Sequence, residues 1–123
     1  MLPTEFNLKL YAGDTETFII RWKTLNGLPK DLTGFTATMQ ILQKRTEEHP
    51  LTFLAVIDPK TSEIVFNLSA RDTRVLLGIT ELQRRSFIYD VQLEDSDKNI
   101  TTIVRGKCYV YADTTRGFLW RRR

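Results

Sequence analysis

Reactive side chains are scarce in this chain of 123 residues. It has one cysteine, Cys108, and one histidine, His49. A lone cysteine excludes an internal disulfide and cannot by itself hold zinc. A lone histidine, set in the charged run Glu47-Glu48-His49-Pro50, leaves few ways to build a nucleophile activated by a nearby base. The six glycines stand singly at turns and strand ends, so the sequence offers no phosphate-cradling loop. No apolar run approaches the roughly 20 residues of a membrane span. Met1-Leu2-Pro3-Thr4-Glu5 carries neither the charged nor the apolar region of a signal peptide, so the expectation is a protein made and folded in a cytoplasm. No internal repeat or low-complexity linker divides the chain, and its length suits one domain with one core.

What is present in excess is positive charge, and it is unevenly placed. The formal net charge is +3, from 18 basic and 15 acidic residues. Four of the basic residues, Arg116, Arg121, Arg122 and Arg123, lie in the last eight positions, which hold no acid. Without them the count is 14 against 15. The body is near neutral and the tail is basic, whereas a nucleic-acid-binding domain places its basic face on its folded part.

Alternation dominates the rest. In residues 86–94, Phe87, Tyr89, Val91 and Leu93 point one way, and Ile88, Asp90, Gln92 and Glu94 the other. Such period-2 patterning predicts a strand with one buried face. A short polar turn at 95–99 returns the chain through residues 100–112, so these two strands pair antiparallel. Residues 5–11 alternate with Phe6, Leu8 and Leu10 on one face. Residues 16–24 place Phe18, Ile20 and Trp22 together, and residues 35–41 place Phe35, Ala37, Met39 and Ile41 together. Residues 43–50 read as a polar loop. Residues 51–57 and 63–68 read as a hairpin around Asp58-Pro59-Lys60-Thr61-Ser62. One short helix follows, capped by Ser69 with Asp72 as its capping-box partner and stopped by Gly78. Two helical turns are unstable alone, so this helix must pack on a sheet. The pattern predicts an all-β fold: an antiparallel, immunoglobulin-like β-sandwich of about seven to eight strands with one short connecting helix. A small barrel is the alternative. The domain division expected is 1–115 for the sandwich and 116–123 for a basic aromatic C-terminal arm.

Candidate chemistry is thin. His49 reads as a solvated loop residue and Cys108 as a small core residue. Asp95-Ser96-Asp97-Lys98-Asn99 resembles the start of a calcium loop, but the sixth and twelfth positions are Ile100 and Gly106 where glycine and glutamate are required. Asp90 and Glu94 share a strand face without any sign of a cleft between paired carboxylates. No catalytic residue, metal site or cofactor is expected, and the chain is read as non-enzymatic. A hydrolase would require turnover that depends on Asp90 or Glu94.

The tail is the candidate binding element. Arg116, Phe118, Leu119, Trp120, Arg121, Arg122 and Arg123 combine three large apolar side chains with four guanidinium groups, and tryptophan and arginine are enriched at interface hot spots. The triplet either folds back on its own domain, docks on a neighbouring subunit, or meets nucleic acid or membrane. The favoured partners are proteins, with neither nucleic acid nor membrane as the main reading.

Several short motifs bear on identity. Tyr11-Ala12-Gly13-Asp14-Thr15 and Asp31-Leu32-Thr33-Gly34 each precede a strand. Tyr89-Asp90-Val91-Gln92-Leu93 is followed by Gly106-Lys107-Cys108-Tyr109-Val110. In this order and spacing, residues 4–113 resemble the phage β-sandwich modules of baseplate upper proteins, at their N-terminal domain, and of tail collar and fibre-attachment proteins. The resemblance implies a bacteriophage virion protein, made in the host cytoplasm, homo-oligomeric in the particle, and contacting tail, neck, baseplate or fibre subunits. It implies no catalytic residues. The chain stops soon after the sandwich, which favours an adaptor or collar over direct receptor binding. A capsid decoration protein is the alternative, and a host-receptor or glycan-binding module using Tyr109 and Tyr111 is a further one.

Overall fold

A computed structural model describes residues 3–24, 26–43, 51–78 and 83–112. Among these, nine strands and one helix form a sandwich of two sheets. The strands are β1 (Thr4–Glu5), β2 (Leu8–Tyr11), β3 (Glu16–Arg21), β4 (Thr36–Leu42), β5 (Leu51–Leu54), β6 (Val56–Asp58), β7 (Glu63–Leu68), β8 (Arg84–Glu94) and β9 (Ile100–Tyr111); the helix α1 spans Ala70–Leu77. The larger sheet runs β1-β9-β8-β4-β5, with β2 also on β9, and the smaller runs β3-β7-β6. The all-β sandwich with one short helix is thus the observed architecture.

The alternating residues do what their period requires. Phe87, Tyr89, Val91 and Leu93 of β8 face Ala37, Met39 and Ile41 of β4 and Cys108 and Val110 of β9, all in the core. Across the gap the small sheet contributes Ile64, Phe66 and Leu68, with Phe18 and Ile20 packed against them. Phe18 ties the layers together, because its ring meets Phe66 in its own sheet and Phe6 and Tyr89 of the other.

Three features depart from simple alternation. First, the N-terminal strands are parallel to β9, so the large sheet is mixed; Leu8 pairs with Cys108 and Tyr11 with Tyr111. Second, residues 51–57 are not one arm of a hairpin. β5 pairs with β4 in the large sheet, and after Ala55 the chain continues as β6 against β7 in the small one. Ala55 marks the crossing, its N–H donating to the Ala37 carbonyl at 3.0 Å. Third, a bulge interrupts the β8–β9 pairing. Val91 opposes Val104 and Gln92 opposes Thr102, which leaves Ile103 as the extra residue and buries Ile103 and Val104 side by side.

The helix forms as its caps dictate. The Ser69 hydroxyl accepts from the Asp72 N–H at 3.1 Å and the Asp72 carboxylate accepts from the Ser69 N–H at 2.8 Å. At the other end Arg85 donates to the Leu76 and Leu77 carbonyls, satisfying acceptors that the helix leaves open. Leu76 and Thr73 are its buried residues. The Thr73 hydroxyl accepts from the Gly13 N–H at 3.0 Å and donates to the Asp14 carbonyl at 2.8 Å, which fastens the helix to the β2–β3 turn.

Candidate interaction surface

Of the motifs behind the family resemblance, residues 89–93 and 106–110 lie in β8 and β9, whereas residues 31–34 form a turn built by their own side chains. The Asp31 carboxylate accepts from the Thr33 hydroxyl at 2.6 Å and the Thr33 N–H at 2.9 Å, and these bonds hold its pKa below the usual range. Leu32 is driven into the core. In the β8–β9 turn, the Asp95 carboxylate accepts from Asn99, through backbone and side chain, and from the Asp97 N–H. The bonds from Asn99 lead in depressing its pKa. That carboxylate organises the turn, and no group of three or more His, Cys, Asp or Glu suited to a metal ion lies among the described residues.

Cys108 is fully buried, and burial pushes its thiol up to about 12. It is a core residue with no accessible thiolate at neutral pH. Asp90 and Glu94 both sit on the outer face of β8, four residues apart. Burial raises the Asp90 pKa, and one carboxylate oxygen, Oδ1, has no hydrogen-bond partner among the described residues. His49, and the arm residues Arg116, Phe118, Leu119, Trp120, Arg121, Arg122 and Arg123, lie outside the described residues, as does the proposed boundary at 115.

Two outer faces remain as candidate interaction surfaces. The outer face of the large sheet carries a shallow groove of about 730 Å³, lined by Asn7, Ile88, Asp90, Arg105, Lys107 and Tyr109 among others. Its character is mixed. Arg105 is paired with Glu5 at 3.3 Å, and Arg84 lies 5.0 Å over the Tyr109 ring. Tyr111, the other aromatic singled out from sequence, stacks on Tyr11 with centroids 5.5 Å apart, at the edge of the same face.

The outer face of the small sheet is organised differently. The pairing register aligns its outward residues in rows that cross the strands. Ile19 opposes Val65, and Val65 opposes Val56. Ile19 is 43% exposed and Val56 68%. Leu54, two residues before Val56 on the strand that crosses between sheets, is 76% exposed. On one side of this apolar row runs Arg21-Glu63-Asp58, with a 2.9 Å ion pair between Arg21 and Glu63. On the other side Thr17 donates to Asn67 at 3.1 Å. An apolar strip between polar rails has the layout of an interface core with its rim.

This row was not evident in the sequence. Ile19 and Val65 are each the apolar minority on a polar strand face, Val56 shares its face with Asp58, and only the register brings the three together. Surface apolar residues scattered singly need no explanation, but aligned ones form a patch.

No protein-family model matches the chain, and no curated protein matches its sequence.

Proposed function

We propose that this protein is a non-enzymatic structural subunit of a bacteriophage virion, an adaptor or collar in the tail, neck or baseplate that holds fibres or neighbouring proteins. The phage assignment rests on the sequence resemblance. The observation that carries the assembly role is the apolar row Ile19–Val65–Val56 between its polar rails. Fully burying an exposed side chain of this kind contributes about 1.5–3 kcal/mol before ordering costs, and these partly covered ones contribute less, so the row seats a partner when many copies act together. The basic aromatic arm is a second grip on the same partners.

The test is incorporation into particles. Val65→Lys places a charge in the middle of the row, on the solvent side of a folded strand. Purified virions should lose this variant, with the chain accumulating free in the lysate. A truncation after Thr115 should also incorporate poorly. Wild-type occupancy of both variants would defeat the assembly reading, and particle microscopy would separate a tail position from a capsid decoration role.

One observation favours a glycan-binding module as a second reading. Tyr109 stands on the wall of a groove that also holds Asp90 and Lys107, an aromatic face beside hydrogen-bonding groups. Binding on a glycan array that disappears in Tyr109→Ala would support it.

A further inference from the structure

Among the described residues, the small sheet has one long edge that no neighbouring strand covers. β3 pairs only with β7 among the described residues. The Trp22 N–H donates to the Ser62 carbonyl, just past the Arg21–Glu63 pair. In an antiparallel ladder the bonded and non-bonded pairs alternate. Ile20, Phe18 and Glu16 therefore direct their backbone groups to β7, and Arg21, Ile19 and Thr17 direct theirs to the open edge.

The other edges of the sandwich are blunted. β6 has three residues and β5 four. The β1–β2 edge is broken at Phe6 and Asn7. Edge strands are normally protected by shortness, proline, bulges or charges, because an open ladder templates pairing with another chain. β3 has six residues, Glu-Thr-Phe-Ile-Ile-Arg, with no proline, glycine or bulge and no charge in its central four. Phe6, 52% exposed, stacks on Phe18 of this strand and adds apolar surface beside it.

We propose that two copies of this chain join through β3, antiparallel, about a two-fold axis at Ile19. The pairing deepens the assembly reading given above and rests on the same sheet being an interaction surface. In this register Ile19 opposes its symmetry mate, Thr17 opposes Arg21, and Phe18 opposes Ile20. Glu16 opposes Trp22. No like charges face each other, which matters because like charges directly opposite are destabilising. The two small sheets become one of six strands, and the apolar row becomes continuous: Val56, Val65, Ile19, then Ile19, Val65, Val56 of the second copy. This continuity, with no like charges opposed, selects a second copy over an unrelated strand.

Disulfide trapping of the full chain tests the register. In a bonded antiparallel pair the Cα atoms stand about 5.5 Å apart, within the roughly 4.4–6.8 Å that a disulfide spans. Ile19→Cys should give a covalent dimer under mild oxidation. Thr17→Cys should not, because each Thr17 lies four residues along the strand from its mate, about 14 Å at strand rise. The native Cys108 is fully buried and does not compete. Sedimentation should show a dimer for the wild type and a monomer for Ile19→Asp, which opposes two like charges on the axis.

A wild type that stays monomeric at every concentration, or a Thr17→Cys that crosslinks as fast as Ile19→Cys, overturns the proposal. So does a folded Ile19→Asp that dimerises normally; if that variant misfolds, the cysteine pair still decides. Val56→Lys keeps this result apart from the assembly reading. It lies at the far edge, so the dimer should persist while incorporation falls. A lost dimer with normal incorporation would strike the pairing alone.

Discussion

The Tyr89 hydroxyl donates to the Phe6 carbonyl, 83 residues away in sequence, above a glycine that makes room for it. In a regular parallel ladder the Phe6 carbonyl would accept from the Lys107 N–H. Here Asn7 Oδ1 takes that N–H at 3.0 Å, and the freed carbonyl leans over Gly106 to Tyr89. A Cβ on Gly106 would sit 2.1 Å from the Phe6 oxygen. Gly106→Ala must push the first strands off β9 and should cost about 3 kcal/mol or more. Tyr89→Phe leaves a carbonyl without its partner and should cost about 1–2 kcal/mol. Urea denaturation of both variants checks the order; equal and negligible effects would mean the stitch is dispensable.

Thr73 is the second internal fastening. Thr73→Val keeps the shape and removes both bonds to the β2–β3 turn. Because the Gly13 N–H is buried and would lose its acceptor, the expected loss is about 1–3 kcal/mol. Thr73→Ser retains the hydroxyl and should recover part of it. Thermal melts of the two variants distinguish a hydrogen-bonding role from methyl packing.

Alkaline pH should unfold the protein early. Burial raises the Cys108 pKa from 9.0 to about 12. The Tyr89 phenol is also pushed well above its ordinary value, by burial first and then by the neighbouring Cys108. In both cases the folded state holds the proton more tightly than the unfolded chain. Their contribution is therefore complete below pH 9 and declines as pH rises from 9 toward 12, at up to about 1.4 kcal/mol per pH unit for each group. Cys108→Ala should be less stable at pH 7 but show a shallower decline between pH 9 and 10. Parallel pH profiles for the two proteins would refute the assignment.

Asp90 has the opposite practical consequence at neutral pH. Its pKa is raised by burial, so the ionised form is disfavoured in the folded state, and its stabilising contribution is present only at acid pH and fades as pH rises. Asp90→Asn should leave the protein as stable as the wild type or slightly more so at pH 7. The advantage should disappear near pH 3. A marked loss at pH 7 would show that the carboxylate has a partner in the folded state.

Much of the sandwich was legible from residue types alone. Strict alternation in β8 identified its buried face, as the alternation of Cys108 and Val110 did for the end of β9, because a regular strand has period 2 whatever surrounds it. Ser69, Asp72 and Gly78 bounded the helix through local chemistry, as did Asp31 and Asp95 for their turns. These are interactions within a few residues, and they need no knowledge of the fold.

Outside the antiparallel β8–β9 pair, register and sheet membership were not legible. Nothing local distinguishes residues 51–58 as one hairpin arm from a strand that changes sheets at Ala55, because the alternation is continuous through both. The parallel pairing of β1 and β2 on β9 joins residues about a hundred apart. The need for glycine at 106 follows from that pairing alone. The apolar row on the small sheet has the same origin: Ile19, Val56 and Val65 are isolated in sequence and adjacent only in the paired strands. Residue types alone show the inward face of β2, β3, β4, β7 and β8. Tertiary structure decided which exposed residues stand together, because that depends on which strands meet and in what register.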